Sequence, residues 1–333
     1  MRYVLEGSVR KAGSRVRITG QLVEAATGTH LWADRFEGTL EDVFDLQDRM
    51  TASVVAAIEP NVRAAEIQRA QRKPTANLQA YDLLLRALPH LSRAREGLAE
   101  AMRLLRQAVA IDPSYALGLA YLAYCQWITI IRSLIDRGDP TVAEMVPLIQ
   151  SALALDPNDP EVLAIAGEIT ARVGGDLSGG IALLDRSLEL NPNNAAALAA
   201  AAALQAYSGD TAAAVSLLDR SARHNPLDWN YRVSHVYMIT YFVAGEYERA
   251  VEWSARALQE MPHSTVALRY RAACLGQLGR LEEGWEVVQH LLAVLPDFTI
   301  TRYRRHLEFS NNVLTPGTIE ALCEGLRRCG VPE

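Results

Sequence analysis

A proline recurs near every thirty-fourth residue over most of the chain, and this spacing restricts the fold more than any other feature. The intervals are 44, 35, 34, 36 and 34 residues, between Pro113, Pro157, Pro192, Pro226, Pro262 and Pro296. Several of these prolines follow an alanine- and leucine-rich run and an aspartate or asparagine, as in ALALDPNDPEV at 152–162. Proline ends a helix because its ring clashes with an earlier carbonyl and it has no N–H to donate. The spacing therefore predicts repeated helical units, each ended by its proline.

Small residues recur at fixed distances before these prolines. Twelve residues before four of them stand Ala101, Ala214, Ala250 and Gly284. Five residues before the last three of those stand Gly209, Gly245 and Gly279. A small side chain lets two antiparallel helices approach closely, and glycine suits the turn between them. The pattern resembles the tetratricopeptide repeat over about Tyr81 to Pro296, which implies a mostly α fold, an α-solenoid of about six helix-turn-helix repeats with a capping helix.

Three departures from the period carry structural predictions. The 44-residue interval holds about ten extra residues near 132–142, which predicts longer helices or a lid-like loop in the second repeat. Gly180 replaces the usual alanine of the third repeat, and GGD at 174–176 adds a residue, so we expect a weak turn and a bend there. After Pro296 we expect a helix near Thr318–Cys329 as the terminal cap, decorated by the basic RYRRH at 302–306.

Residues 1–38 alternate apolar and polar side chains, with turn residues at 12–13 and 27–28. This pattern predicts a three-stranded antiparallel meander, at about Tyr3–Arg10, Arg15–Glu24 and His30–Phe36. Thr39 would then cap a long helix that runs to about Glu59, breaks at Pro60 and resumes to Arg72. The predicted organisation is a small α+β domain at 1–72, a linker at 73–80, repeats at 81–296 and a cap at 297–333.

The N-terminal segment also resembles a known domain. YVLEGSVRKAGSRVRITGQLVEAATGTHLWADRF at 3–36, with FDLQD and AAIEP after it, looks like the closing half of the TolB-like domain. That domain commonly joins a tetratricopeptide tail to a bacterial class III adenylate cyclase or a winged-helix transcription regulator, and CEGLRRCGVPE at 323–333 resembles the end of such cyclase-linked chains. In the family a strand and a helix precede the meander. We therefore expect a partial sheet whose exposed edge pairs with a second copy of the chain or is poorly ordered.

Composition narrows the partners and the compartment. The formal charge of −6 argues against nucleic acid as a partner of the whole chain. The stretch ALGLAYLAYCQWITII at 116–131 is shorter than the roughly 20 residues that span a bilayer, so a buried helix is expected there and no membrane contact. The sequence starts without the basic and apolar run of a signal peptide, and its cysteines, Cys125, Cys274, Cys323 and Cys329, lack CxxC spacing. A cytoplasmic, reducing location fits best.

A search for catalytic patterns finds none. Phosphate-binding glycine motifs and a GxSxG serine are absent, and the acidic pair near strands, Asp34 and Asp45, fits solvated charges better than a metal site. The seven histidines form no HxxxH or HxH pair; they are His30, His90, His224, His235, His263, His290 and His306. We therefore predict a non-enzymatic chain without a cofactor or a metal site.

The remaining candidate is the inner wall of the repeats. The tetratricopeptide resemblance places nine residues on that wall: Tyr124, Trp127, Glu168, Arg172, Tyr207, Arg232, His235, Phe242 and Arg269. Aromatic and arginine side chains dominate binding hot spots, although helix aromatics often serve only packing between repeats. Arg172, Arg232 and Arg269 fall in successive repeats and would suit an acidic or carboxylate-bearing segment. The lysine and asparagine clamp of the chaperone-binding subfamily is replaced by Ala120, Tyr124, Ala164 and Glu168.

These observations favour a non-catalytic interaction module that binds a peptide or protein segment in a concave groove. The first alternative is the regulatory C-terminal part of an adenylate cyclase or a winged-helix regulator. The second is a small-molecule sensor that uses a cavity between Trp127 and the extra residues of the second repeat.

Overall fold

The structure is a computed structural model that describes residues 3–13, 15–24, 29–39, 54, 80–91, 95–135, 139–224, 231–310 and 314–333. The described ranges contain a three-stranded sheet followed by fourteen α-helices. From residue 80 onward the helices form antiparallel hairpins, and through the sixth hairpin the first helix of each packs on the first helix of the next. This is the tetratricopeptide-like α-solenoid that the proline spacing predicts.

The hairpins are defined by the following helices. The first four pairs are α1 (Ala80–Ala87) with α2 (Arg95–Ile111), α3 (Ala116–Ser133) with α4 (Pro140–Leu155), α5 (Pro160–Arg172) with α6 (Leu177–Leu190), and α7 (Ala195–Tyr207) with α8 (Thr211–His224). The last three are α9 (Tyr231–Val243) with α10 (Tyr247–Glu260), α11 (Thr265–Gln277) with α12 (Leu281–Val294), and α13 (Ile300–Ser310) with α14 (Pro316–Arg328). A 3₁₀ turn at Leu88–His90 follows α1.

The repeated prolines and glycines take the positions that the pattern predicts. Five of the six prolines are among the described residues, and each follows the last residue of a second helix by two positions, as Pro262 follows Glu260. Gly209, Gly245 and Gly279 have φ angles of 86°, 76° and 73° between the two helices of their hairpins. A residue with a Cβ is strained in that region, so glycine is required at these turns. Several hairpins start with a side-chain cap, such as Asn194, which accepts from Ala197 N–H at 2.8 Å.

The helix crossings explain the recurring small residues. Ala101, Ala214 and Ala250 are fully buried, and Leu105, Leu184 and Leu218 beside the crossings are buried as well. Gly180 lies at the helix crossing of the third repeat, and the bend predicted there stays a prediction. A Cβ placed on Gly180 would lie 2.6 Å from both the Ala171 Cβ and the Gly167 carbonyl oxygen. Only glycine fits this crossing. The N-terminus of α6 has a regular side-chain cap, because Asp176 accepts from Gly179 N–H at 2.8 Å.

Replacing Ala214 with valine tests the crossing. Ala214 is fully buried on α8, so two additional methyl groups must displace the facing helix. We expect a loss of about 1–3 kcal/mol in the free energy of unfolding, measured by urea denaturation. The exposed Ala212 on the same helix provides the control, and Ala212→Val should lose far less. Equal losses in the two variants would show that the position is not a crossing.

The extra residues of the second repeat lengthen its helices. α3 has 18 residues and α4 has 16, whereas the helices of the next four hairpins have 13 or 14. At the end of α3, Leu134 adopts a left-handed φ of 53° and its N–H bonds to the Ile130 carbonyl oxygen. The C-terminus of α3 accepts hydrogen bonds from Arg269 and Arg302, and these contacts close the candidate site.

The C-terminal segment contains a hairpin, α13 and α14, where the sequence predicts one capping helix. α14 matches that prediction and packs closely on α11. The contact joins the two backbones, since a Cβ on Gly276 would collide with the Gly325 carbonyl and one on Gly325 with the Ala273 carbonyl. α13 was not predicted as a helix.

The N-terminal sheet is the predicted meander, with strands β1 (Tyr3–Ala12), β2 (Arg15–Glu24) and β3 (Thr29–Thr39) in the order β1-β2-β3. One face is apolar, where Val16 and Leu22 of β2 are buried together with Phe36. Leu5 and Val9 lie on β1, which pairs with β2 alone among the described strands, and they are 47% and 68% exposed. Thr39, the predicted cap of the next helix, is the last residue of β3. The predicted helix at 40–72 lies outside the described residues except for Val54, which is buried.

Within the described ranges, no helix is both long enough and apolar enough to cross a lipid bilayer. The apolar stretch of α3 is instead part of the core of the first three hairpins.

Candidate binding cavity

The first helices of successive hairpins surround a cavity of about 510 Å³. Its wall is formed by α3, α5, α7, α9, α11 and α13, together with the 3₁₀ turn after α1. Among the lining residues, Leu91, Glu161 and Asn193 are half-buried, whereas Trp127, Arg172, Tyr207 and Tyr303 are buried. The volume falls in the range of about 300–1,000 Å³ that is typical of small-ligand sites.

Helices α11 and α13 close the cavity against the C-terminus of α3. Arg302 donates to the Ser133 carbonyl at 3.1 Å, and Arg269 donates to the Ile131 carbonyl at 2.8 Å. The Thr265 hydroxyl donates to the Arg132 carbonyl at 2.8 Å. The last carbonyls of a helix lack intrahelical partners and carry partial negative charge, so arginine suits them. The seventh hairpin is thereby fixed to the second.

A buried ion cluster occupies one side of the cavity. Glu168 on α5 lies 3.2 Å from Arg172 of the same helix and 2.5 Å from Arg232 of α9. Burial alone would raise the pKa of Glu168, but the charges of Arg232 and Arg172 outweigh it, and the pKa falls below its ordinary value. Burial likewise opposes the charge on Arg232, yet Glu168 raises the pKa of that guanidinium. Glu168 and Arg232 are therefore both ionised at neutral pH.

Aromatic rings hold the arginines in place. The guanidinium carbon of Arg172 lies 4.6 Å from the Trp127 ring centroid and 5.1 Å from that of Tyr207. Arg232 lies 5.4 Å from the Tyr124 ring centroid. Stacking of this kind fixes a planar cation without neutralising it. The cluster thus presents charged groups at defined positions.

Two histidines also line the cavity. His235 of α9 is 3.1 Å from the Ser264 hydroxyl, which caps α11. His306 of α13 is 3.4 Å from the Ile135 carbonyl oxygen. Burial, followed by the nearby charge of Arg269, lowers the pKa of His306 to about 3. The imidazole of His306 is therefore neutral in the folded protein.

The neutral state of His306 predicts acid sensitivity. Below about pH 6.5 the unfolded chain binds a proton at His306 that the folded chain does not, so stability falls as the pH falls towards about 3. By pH 5 we expect a loss of about 2 kcal/mol in the free energy of unfolding from this group. Urea denaturation at pH 7.5 and pH 5 gives the change in the free energy of unfolding for the wild type and for His306→Gln. The difference between the two changes is the contribution of His306, because all other titratable groups are present in both proteins. An identical pH dependence in the two proteins would contradict the assignment.

Eight of the nine predicted groove residues line this one cavity. They are Tyr124, Trp127, Glu168, Arg172, Tyr207, Arg232, His235 and Arg269. Phe242 does not join them. Its ring packs in the core, 5.3 Å from the Tyr270 centroid and 5.4 Å from that of Tyr247. The inner-wall register therefore places eight side chains together but fails at one position near the end of α9.

Sequence reasoning missed the residues that close the cavity. Tyr303 and His306 belong to the basic segment that was expected to decorate the cap, yet each is 2% exposed and lines the cavity. The sequence does contain a signal for the helix α13, because its apolar residues Ile300, Tyr303 and Leu307 recur at helical spacing on one face. The sequence contains no comparable signal that this face would meet α3.

The ligand-forming groups of the described residues do not form a metal site. Within those ranges, no group of three or more histidine, cysteine, aspartate or glutamate side chains could hold an ion. His263 and His290 approach to 3.1 Å at an exposed position. All four cysteines are free and buried, and burial raises the pKa of the Cys125 thiol to about 12.

Comparison with known proteins relates the chain to two curated proteins. No family model matches it. Putative adenylate cyclase 3 of Rhizobium meliloti (strain 1021) is 34% identical over 162 residues, which are 48% of this chain and 28% of that protein. The N-terminal acetyltransferase A complex auxiliary subunit NAA15 of Arabidopsis thaliana is 26% identical over 186 residues, 53% of this chain and 20% of that subunit. The chain thus spans less than a third of either relative.

Among solved structures, the human IFIT1 dimer with m7Gppp-AAAA is similar in fold. Its TM-score is 0.55 at 14% sequence identity, over 77% of this chain and 60% of that one. At that identity the comparison concerns the fold alone. It agrees with the solenoid architecture described above.

Proposed function

We propose that the chain is a non-catalytic regulatory module that binds a peptide or protein segment in its concave groove. The observation that carries this proposal is the convergence of eight predicted groove residues on one cavity, with arginines held on aromatic rings. Arginine and aromatic side chains are the residue types that dominate interaction hot spots. The similarity to an auxiliary subunit of an enzyme complex supports the same type of role.

The arginines of the cavity favour an acidic segment. Arg232 lines the cavity and is half-buried, and we expect a partner's carboxylate to contact it. Fluorescence anisotropy with labelled acidic peptides and their lysine-substituted counterparts tests this preference. We expect Arg232→Gln to weaken acidic-peptide binding about tenfold. Arg280→Gln, which changes an exposed arginine paired with Glu283, should leave it unchanged. Preference for the basic peptides would contradict the proposal.

The alternative function is that of a regulatory C-terminal part of a bacterial adenylate cyclase or a winged-helix regulator. The name of the Rhizobium relative supports the cyclase version. In either version the chain acts in cytoplasmic signalling, with 1–72 and 81–296 as separate functional parts, a linker at 73–80 and a cap at 297–333. We expect the purified chain with ATP and Mn²⁺ to form no cyclic AMP above a protein-free control. Measurable cyclic AMP would replace the proposed module with an enzyme.

The sheet supplies a proposed self-association surface. Leu5 and Val9 of β1 are exposed on the apolar face, and unpaired strand edges readily add another strand. We expect sedimentation velocity to detect a dimer that Val9→Lys weakens. Thr19 of β2 is on the opposite face, and Thr19→Lys serves as the control. A monomer at all accessible concentrations would contradict this surface.

A further inference from the structure

A hydroxyl on the cavity wall is buried without a hydrogen-bond partner. Ser221 of α8 lines the cavity and is 1% exposed, and its Oγ forms no hydrogen bond with any described residue. Most buried hydroxyls in proteins are satisfied, because an unsatisfied one loses its bonds to water and gains none in return. A ligand in the cavity would supply the missing partner.

The equivalent serine of the preceding hairpin is satisfied. Ser187 of α6 and Ser221 of α8 each lie seven residues after the small residue at the helix crossing, which is Gly180 or Ala214. The Ser187 hydroxyl donates to the carbonyl of Pro160, the first residue of α5, at 2.6 Å. Ser221 forms no such bond with the first residue of α7. The repeat therefore provides a partner for this hydroxyl in one hairpin and leaves it open in the next.

The cavity reaches Ser221 where α7 carries alanines. Among the described lining residues, Ser221 alone belongs to the second helix of a hairpin. Counted from the helix caps, Ala196 of α7 stands where α5 has Glu161. Ala203 likewise stands where α5 has Glu168. An alanine side chain ends at Cβ, whereas glutamate fills the same space with a longer chain, so the cavity extends past α7 to the second layer of helices.

The helices that pack against α8 contribute mostly apolar side chains to the cavity. α9 packs on both α7 and α8 and adds aliphatic side chains to the wall, which are Val233, Val236 and Ile239. Arg232 of the same helix is paired with Glu168. His235 is hydrogen-bonded to Ser264. A single hydroxyl does not compensate the desolvation of a full charge, so we infer that the group that meets Ser221 is uncharged.

We propose that the cavity binds a small uncharged molecule that has an apolar body and a hydroxyl or carbonyl group hydrogen-bonded to Ser221. The alanines of α7 and the aliphatic side chains of α9 cover the body, which gains free energy when it leaves water. The cavity volume of about 510 Å³ is in the range of small-ligand sites. This site goes beyond the proposed recognition of a protein segment, because it needs no macromolecular partner.

Isothermal titration calorimetry with camphor and borneol tests the site. These probes share a compact aliphatic body and carry a carbonyl or a hydroxyl group, and camphorsulfonate adds a negative charge to the same body. We expect saturable binding of at least one neutral probe and binding of camphorsulfonate about tenfold weaker or worse. If neither neutral probe binds, or if camphorsulfonate binds as tightly as camphor, the proposal is wrong.

Removal of the hydroxyl tests its contact with the ligand. Ser221→Ala leaves the polar group of the bound probe without a partner, so we expect about fivefold weaker binding. Ser216→Ala on the exposed face of α8 should have no effect. Equal affinity of the wild type and Ser221→Ala would overturn the proposal, because the hydroxyl would then not contact the ligand.

The ligand-free protein gives an independent readout. Ser221→Ala removes a buried polar atom that has no partner, so its melting temperature should equal or exceed that of the wild type. Ser187→Ala removes the donor of the hydrogen bond to Pro160 and should lower the melting temperature. A similar decrease in both variants would show that the Ser221 hydroxyl is satisfied and would contradict the proposal.

A larger side chain on the wall locates the binding. Ala199→Leu on α7 fills part of the cavity without changing its charge and should abolish probe binding. Ala212→Leu on the exposed face of α8 is the control and should bind the probe as the wild type does. Circular dichroism verifies that both variants are folded. Probe binding that persists in folded Ala199→Leu would place the probe elsewhere and overturn the proposal.

The two binding assays separate this proposal from the proposed function. Acidic-peptide binding without binding of either neutral probe would refute the cavity site and leave the proposed function intact. Neutral-probe binding that depends on Ser221, without any peptide binding, would refute the proposed function and leave the cavity site intact.

Discussion

Replacing Glu168 with glutamine should lower the free energy of unfolding by about 3–5 kcal/mol. The carboxylate of Glu168 lies between the buried guanidinium of Arg172 and that of Arg232. Glutamine has nearly the same shape but no charge, so both cations would stay inside the solenoid without their shared counter-charge. Urea denaturation at neutral pH measures the loss.

The control for Glu168 is an exposed carboxylate in a similar local pair. Glu189 on α6 lies 3.0 Å from Arg186, and its side chain is 66% exposed. Exposed pairs contribute little, so Glu189→Gln should change stability hardly at all. A comparable loss in both variants would mean that the buried position of Glu168 does not matter.

The pH dependence gives a second readout of the same cluster. The pKa of Glu168 is lowered in the folded protein, so its stabilisation is complete above the ordinary carboxylate range. It is lost as the pH falls through the lowered value, because the folded chain must then take up the proton. Glu168→Gln should therefore lose less stability than the wild type on acidification below about pH 4.5.

Replacing Gly276 with alanine should cost about 1–3 kcal/mol, although alanine usually favours a helix. Gly276 of α11 faces the Gly325 carbonyl of α14, and an added Cβ would collide with it. The methyl group must push α14 away from α11 and disrupt the buried contacts of Leu322, Cys323 and Leu326. Urea denaturation and circular dichroism measure the loss.

The matched control is an exposed glycine, at the start of α14. Gly317 is exposed in the first turn, and the nearest atom to an added Cβ is the Thr315 hydroxyl oxygen at 3.9 Å. Gly317→Ala should leave stability unchanged or raise it by up to about 1 kcal/mol, because alanine restricts the unfolded chain. Opposite effects at Gly276 and Gly317 support the close crossing. Similar effects would show that the two backbones can separate freely.

The hairpins themselves are local and were predictable. Pro262 ends one unit, Gly245 turns within it, and Ala250 lets its two helices cross, all within 18 residues. These positions follow from backbone sterics, which act the same way in every repeat. The close approach at Gly180 was not predictable in this way, because it depends on how far apart the two helix backbones lie. The Ala171 and Gly167 backbone approaches too closely for alanine.

The candidate site was predictable only where it follows the repeat. Arg232 is the second residue of α9 and Arg172 is the last of α5, and both positions belong to the inner-wall register of the repeat. Phe242 lies near the C-terminal end of α9, where the ring meets Tyr270 in the core. Contacts of Arg302 with Ser133 span 169 positions of the chain. No periodicity encodes such a contact, because it depends on the accumulated rotation of all the intervening hairpins.

The attachment of α11 and α13 to the end of α3 also limits how this protein can evolve. Most repeat arrays gain or lose a unit by duplication or deletion, since each unit contacts only its neighbours. Here an added or deleted hairpin would rotate Arg269 and Arg302 away from Ile131 and Ser133. The number of units is thus set by geometry, and variation of this lineage must come from substitution within units.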